Sequence, residues 1–350
     1  MALNFSELSE FYTHGFDTVI DVRSPAEFAI DHIPGAINLP SLSNEERAEV
    51  GTIYKQVSPF KARKVGASLV LSNVARHVSG PLQHHDGSWR PLIYCWRGGQ
   101  RSGVFTTLLK EIGWRAEVVD GGYQTYRRLV QHLLYEETLP HRFILLDGYT
   151  GTAKTAVLNA LKPLGVQTID LEAMAGHRGS LLGEMPGGQP SQRMFESRLA
   201  QALYHCDPSQ PVVLEAESSK IGRLIIPPSL WSAMAQAPGI KITASLAARV
   251  AFITEDYRDI LADPDTVTKR LAPLRHLRGH ANVDRWQGLQ DSGDLSGLAQ
   301  ALIEDHYDPA YATAQKKHER EVLGEVHSET LDQTGVETTA KKVAEIVRSL

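Results

Sequence analysis

Cys95 is the residue around which a reaction is easiest to write. It lies in Pro91-Leu92-Ile93-Tyr94-Cys95-Trp96-Arg97-Gly98-Gly99-Gln100-Arg101-Ser102. Pro91 to Tyr94 read as a short apolar strand, and Val104, Leu108, Leu109 and Ile112 then recur with a helical period. The cysteine therefore stands at the carboxyl end of a strand, in a loop that closes at Arg101 with C-x5-R spacing. Ser102 is expected to cap the helix that follows. A thiolate is the nucleophile, and a free thiol pKa of about 8.5 falls at helix N-termini and beside arginine. Gly98 and Gly99 let the loop curl so that successive backbone N–H groups point inward as an anion nest. Arg97 and Arg101 add fixed positive charge. Such a loop holds a thiolate and an oxyanion together.

A second constellation lies downstream. Phe143 to Leu146 form a continuous apolar run, as in a strand buried on both faces. It leads into Asp147-Gly148-Tyr149-Thr150-Gly151-Thr152-Ala153-Lys154-Thr155, and Val157, Leu158 and Leu161 continue as a helix. This is a variant of the phosphate-binding pattern G-x-x-x-x-G-K-[ST]. Gly148, Gly151, Lys154 and Thr155 are the expected phosphate ligands, with backbone amides and the helix N-terminus as a cradle. Ala153 replaces a glycine of the pattern and must take that glycine's backbone angles. Pro211 to Glu217 read as a strand ending in Glu215 and Glu217, and a strand-end acid near such a loop holds Mg²⁺. A Mg²⁺ ion is compatible with either glutamate; a solvated pair of capping acids is the other reading. No cluster has His/Cys metal-ligand spacing. His177-Arg178-Gly179-Ser180 and the polar stretch Gly187 to Glu196 are candidates for a lid over the phosphate site. The densest positive stretch, Lys269-Arg270 and Arg275 to His280, is a candidate RNA-backbone patch.

These residues need a scaffold. Thr18 to Arg23 read as a strand, Ser24 to Ile30 as a capped helix with Pro25 at its first position, and residues 43 to 79 as mainly helical. Ala116 to Val119 read as a strand before a helix through Leu134, and residues 135 to 142 as a linker. Gln167 to Asp170 and Lys241 to Leu246 complete the strands, with helices at 294 to 306 and 339 to 350. Strands alternating with helices predict two parallel-sheet α/β domains, residues 1–136 and 137–350. The chain has 350 residues, 42% hydrophobic and 22% charged, with net charge −5. That balance excludes a general basic coat for nucleic acid, so any RNA must meet a local patch. Two cysteines far apart argue against a disulfide framework. With no apolar run of about 18 residues and no basic start with an apolar stretch behind it, the expected location is cytoplasmic.

Asp21-Val22-Arg23 with Glu27-Phe28, then His32-Ile33-Pro34-Gly35-Ala36, then Cys95 in its loop, then Asp120-Gly121-Gly122-Tyr123, together resemble a rhodanese domain. A cysteine phosphatase is the rival chemistry on the same loop geometry. Beyond residue 137 the fold implied is P-loop NTPase-like. The pairing, with Gln189-Pro190-Ser191-Gln192 and Glu215-Ala216-Glu217-Ser218-Ser219-Lys220-Ile221-Gly222, resembles the bacterial tRNA 2-selenouridine synthase family from about Asp21 to Tyr311. The resemblance implies a transferase acting on tRNA. It replaces the sulfur of 2-thiouridine at wobble position 34 with selenium from selenophosphate, after S-geranylation by geranyl diphosphate. On that reading Cys95 is catalytic, Arg97, Gly98, Gly99 and Arg101 hold the selenophosphate oxyanion, and the phosphate loop needs only to grip a diphosphate. The alternative is a rhodanese-type sulfurtransferase fused to an ATP-dependent kinase or ATPase with no RNA substrate. A regulatory module with an inactive rhodanese domain is a third reading, and an intact Cys95 and Arg101 weigh against it.

Overall fold

The computed structural model describes residues 2–180, 182–261, 263–315 and 320–350. The chain forms two compact units. One is Met1–Glu137 with Pro190–Tyr204; the other is Thr138–Gln189 with His205–Leu350.

The first unit is a parallel sheet of β1 (Thr18–Asp21), β2 (Ile37–Asn38), β3 (Pro91–Tyr94) and β4 (Glu117–Val118), in the order β2-β1-β3-β4. β3 is buried along its whole length, which is why it reads as an apolar run. The register pairs Asp21 with Tyr94, so β1 and β3 end side by side. Their helices are α1 (Pro25–Ile30), α2 (Asn44–Gln56), α3 (Pro59–Ser79), α4 (Gln100–Ile112) and α5 (Gly122–Tyr135). Ile20, Val22, Val74, Ile93, Phe105 and Leu109 are the centre of the core.

The second unit is a five-stranded parallel sheet. β5 (Phe143–Asp147), β6 (Gln167–Ile169), β7 (Val212–Glu215), β10 (Gly239–Ala244) and β11 (Val322–Ser328) stand in the order β11-β10-β5-β7-β6, and Lys220–Ile221 and Leu224–Ile225 form the hairpin β8–β9. Placing β5 between β7 and β10 puts the turn after it at the middle of the sheet's carboxyl edge, where ligands of such folds bind. α6 (Lys154–Leu161) leaves that turn and packs on the helix Gln333–Arg348, sharing a core with Val213, Ile240 and Ile242. This unit also holds α7 (Leu171–Ala175), α9 (Pro228–Gln236) and α10 (Leu246–Asp256), whereas α8 (Gln192–His205) lies almost wholly in the first unit. Residues from Tyr257 to Tyr307 add a helical cluster around Trp286, Val267, Leu271 and Leu298.

The structure departs from the sequence expectations in three places. The sequence places residues 190–204 in the second domain, with 187–196 as part of a lid, yet Pro190–Tyr204 belongs to the first unit. Glu196 is buried against Arg127 and accepts from the Tyr135 hydroxyl at 2.7 Å, while Ser197 donates to Asp31 at 3.0 Å. These partners lie 61 to 166 positions away, beyond the reach of any local pattern. Second, β11 was not expected: the charges Glu321 and Glu325 mask its apolar positions. Third, β10 ends at Ala244 because Ser245 caps α10, its hydroxyl accepting from the Ala248 N–H at 3.2 Å. Among the described residues, no helix is long and apolar enough to cross a membrane.

Candidate functional site

The β3–α4 turn carries Cys95. Gly98 must be glycine: its φ is +64°, and a Cβ there would sit 2.6 Å from the Val119 carbonyl. Gly99 is the N-cap of α4. Ser102, expected to cap this helix, makes no capping bond to an α4 N–H; its hydroxyl donates to Cys95 Sγ at 3.2 Å and also lies 3.3 Å from the Gly99 carbonyl. Cys95 is only 3% exposed. Burial pushes its thiol up, but the Ser102 hydroxyl, the Ser102 and Arg97 N–H groups and the Arg101 charge together bring it below the ordinary thiol range. Arg101 is anchored by Glu27 at 3.0 Å, and Glu27, pushed up by burial, is held below the usual carboxylate range by that charge. Arg97 is exposed and its Nε donates to Gln124 Oε1 at 3.2 Å.

The second unit places Gly148, Gly151, Lys154, Thr155, His177, Arg178, Glu215 and Glu217 around a single cavity of about 990 Å³. Ala153 takes φ +57°, ψ +31°, the left-handed angles open to glycine, so the loop keeps its course at a cost of about 1–2 kcal/mol. Lys154 Nζ donates to the carbonyls of Gly148 at 2.9 Å and Tyr149 at 3.3 Å, which folds the ammonium back onto the loop. Thr155 donates to Glu172 at 3.0 Å. Glu172 sits in the first turn of α7, which Asp170 caps by accepting from the Ala173 N–H at 2.8 Å. Oxygens of Glu172, Glu215 and Glu217 lie within 4.8 Å of one another. Glu215 is 1% exposed, and among the described residues neither of its carboxylate oxygens accepts a hydrogen bond of good geometry. Burial, reinforced by the neighbouring carboxylates, pushes Glu172 and Glu215 well above the usual range; burial raises Glu217 as well.

The His177–Ser180 loop lies against these acids. Gly179 has φ +64°, which favours glycine, and a Cβ there would press on the carboxylates of Glu172 at 2.2 Å and Glu217 at 2.9 Å. His177 is buried, which lowers its pKa, and accepts from the Gly179 N–H at 3.1 Å. Arg178 lies over the Tyr257 ring at 5.2 Å. The opposite chemistry appears elsewhere on the cavity wall, in Trp231, Met234, Phe252 and Ile253.

Two family models match the chain. One describes a rhodanese-like domain, over residues 5–129, and the other the tRNA 2-selenouridine synthase AAA domain, over residues 141–269. A tRNA 2-selenouridine synthase of Hahella chejuensis is 33% identical over 332 residues, covering 86% of this chain and 86% of its own length. One of Alcanivorax borkumensis is 34% identical, covering 84% and 88%, and one of Marinobacter nauticus is 32% identical, covering 87% and 90%. The chain belongs to the tRNA 2-selenouridine synthase family. Its α/β architecture is a rhodanese-like unit followed by a P-loop-like unit.

Within that family frame, Asp21, Arg23 and Tyr123, which carry part of the rhodanese resemblance, are supports. Arg23 is 1% exposed, bonds Asp21 at 2.6 Å and the Asp31 carbonyl at 2.6 Å, and lies 4.0 Å from the Tyr123 ring centre. Tyr123 in turn donates its N–H to the Cys95 carbonyl at 2.8 Å. The motif therefore braces the cysteine loop from below. Sequence reasoning missed Arg249, which is buried, donates to the Thr150 carbonyl at 2.9 Å and to Asp308 at 3.0 Å, and so ties the phosphate loop to the start of the helix Asp308–Gln315. Nothing near it in sequence marks it. The candidate RNA patch is largely committed elsewhere: Arg270 pairs with Glu184, Arg275 with Asp284 at 2.6 Å, and Arg278 donates to the His306 carbonyl at 3.0 Å. Cys206 is a half-buried free thiol, pushed up by burial.

The thiol environment gives a direct expectation. In a Cys206→Ser background, iodoacetamide labelling of Cys95 should follow a pH curve whose midpoint lies below that of an ordinary thiol. Ser102→Ala should move that midpoint upward, because the thiolate loses a donor. An identical midpoint in both proteins would show that the Ser102 hydroxyl does not stabilise the thiolate.

Proposed function

We propose that the chain makes 2-selenouridine in tRNA from 2-thiouridine at the wobble position, in two steps. In the first, the thiocarbonyl sulfur attacks C1 of geranyl diphosphate. A C–S bond forms, the C–O bond breaks, diphosphate leaves, and the base loses its N3 proton. In the second, the selenium of selenophosphate attacks C2. The alkylated sulfur, a poor leaving group before, departs as geranyl thiol, and water takes the phosphoryl group.

The observation that carries this reading is the mixed character of the 990 Å³ cavity. A phosphate loop with Lys154 lies on one part of its wall, and Trp231, Met234, Phe252 and Ile253 on another. A diphosphate with an apolar tail matches both parts. Gly148, Gly151, Lys154 and Thr155 would bind the diphosphate; the amides and cations of the Cys95 loop would bind the selenophosphate oxyanion. Family membership supports tRNA as the substrate, since the relatives bear the name tRNA 2-selenouridine synthase. The test is to incubate the full chain with thiolated tRNA, geranyl diphosphate and selenophosphate and to follow nucleosides by mass spectrometry. S-geranyl-2-thiouridine should appear first and 2-selenouridine second. A tRNA that stays 2-thiouridine in every combination would sink the reading.

The residues also fit a divalent cation. Glu215 has two buried oxygens that accept no hydrogen bond of good geometry among the described residues, Glu172 and Glu217 are beside it, and the donor set is all oxygen, as Mg²⁺ prefers. These three and the Thr155 hydroxyl would hold the ion, which would supply positive charge to the departing diphosphate. A consequence is readable without activity. A carboxyl whose folded pKa is raised favours the folded state below its unfolded pKa and loses that contribution as pH rises through the raised value. In chelator, melting temperature should therefore fall as pH rises from about 5 toward 8, and Mg²⁺ should restore it. Glu215→Gln should flatten both responses. Melting curves indifferent to Mg²⁺ at every pH would remove the cation. The same acids and Thr155 favour a second reading, nucleoside triphosphate hydrolysis; ATP turnover without tRNA would support it.

A further inference from the structure

We infer that the first unit holds the RNA strand on an arginine-lined groove beside the Cys95 loop. The inference rests on the proposed tRNA substrate and says where that substrate lies. The groove encloses about 490 Å³. α5 presents Gln124, Arg127, Arg128 and Gln131 to it, at i, i+3, i+4 and i+7, with Tyr123 and Thr125 at its floor, while Tyr126, Val130 and Leu134 are buried outside it. Arg193 of α8 joins them, which the folding of Pro190–Tyr204 into this unit makes possible. Trp96 and Arg97, the two residues after Cys95, line it too. No acidic residue lines the groove among the described residues.

Three features select RNA. First, the charge is concentrated: the whole chain carries −5, yet Arg97, Arg128 and Arg193 meet here, beside Arg127, whose charge is matched by the buried Glu196. Second, two of them are pre-oriented, Arg127 by the buried Glu196 and Arg97 by Gln124 at 3.2 Å, so their guanidinium planes need little ordering on binding. Third, the groove is not only cationic. Trp96 offers a ring to stack on, tilted against Tyr123 at 5.3 Å, and Gln124 and Gln131 offer amides that donate and accept. Phosphate attraction, aromatic stacking and base-edge hydrogen bonds are the set by which unstacked RNA is held. The groove is also continuous with the reacting loop: the Tyr123 N–H binds the Cys95 carbonyl at 2.8 Å and the Gln124 N–H binds the Trp96 carbonyl at 3.1 Å. A uridine presented to Cys95 would lay its flanking nucleotides along α5.

Arg128 and Arg193 are both exposed, so they can be changed with least risk to the fold. The full chain, the Arg128→Ala/Arg193→Ala pair and the Arg128→Lys/Arg193→Lys pair would be titrated with fluorescent 2-thiouridine tRNA between about 50 and 200 mM salt. The Ala pair should bind about tenfold more weakly at low salt. Its log Kd against log salt slope should fall by about 1.4, two phosphate contacts at about 0.7 each. The Lys pair should recover most of both. Unchanged affinity and slope in the Ala pair would overturn the groove while leaving the tRNA reading intact, and would leave the arginines for an acidic protein partner. A Lys pair as weak as the Ala pair would mean lost packing and would also overturn it. A native chain that binds no tRNA would sink this inference and the proposed function together.

Discussion

Lys154→Ala should fold normally and lose S-geranylation of thiolated tRNA, by about 10²–10³-fold. The physics is that of a departing anion. Ionising the C–O bond of geranyl diphosphate gathers negative charge on the diphosphate, and the side chain that meets it must already be in place. Lys154 begins α6 directly after the loop. Its Nζ rests on the Gly148 and Tyr149 carbonyls at 2.9 and 3.3 Å, partners it can exchange for phosphate oxygens with little rearrangement. Loss of one preorganised charge of this kind costs about 3–4 kcal/mol in the transition state. Its fold should survive because the packing of α6 depends on Val157, Leu158 and Leu161, each fully buried, and not on the ammonium. Lys154→Arg should retain part of the rate, since charge is kept and geometry is not. The rate of S-geranyl nucleoside formation, read by mass spectrometry under single-turnover conditions, decides the matter. Normal geranylation by Lys154→Ala would remove the loop from the reaction.

Much of this architecture is legible in the sequence, for a local reason. Parallel strands buried on both faces read as apolar runs, and Pro91–Tyr94 and Phe143–Leu146 are such runs. The turns that follow carry their chemistry in consecutive residues, so Cys95 with Arg101, and Gly148 with Lys154, announce themselves by spacing. What was not legible acts across distance. Ser102 could be read as a helix cap because serine after a loop usually is one; only the curl of the loop turns its hydroxyl to Cys95. Arg249 reaches the phosphate loop across 99 positions. Glu172, in a short helix capped by Asp170, carries no motif, yet it completes the acid cluster with Glu215 and Glu217. The basic run near residue 275 misleads for the converse reason: sequence shows charges but not the carboxylates and carbonyls that occupy them.

Cys95→Ala should separate the two steps. The variant should still form S-geranyl-2-thiouridine, because the groups expected to grip geranyl diphosphate all stand on the second unit. It should make no detectable 2-selenouridine. Sulfur and its neighbours are arranged to hold negative charge near an oxyanion: the Ser102 hydroxyl lies 3.2 Å from Sγ, the Arg97 and Ser102 N–H groups point to it, and Arg101 is fixed by Glu27 at 3.0 Å. An alanine keeps the loop's backbone and its cations, so the variant tests the sulfur and not the anion nest. Cys95→Ser is the useful companion. It preserves size and a hydrogen-bonding atom but not a thiolate, and should be as inactive as alanine if the reaction needs the charge. Because Cys95 is 3% exposed, loss of its small side chain leaves a buried gap that costs stability, and a melting curve must accompany the assay. Geranylated tRNA accumulating in a folded variant would place the sulfur in the second step. Full selenation by either variant would leave the loop as an anion site and take the thiol out of the chemistry.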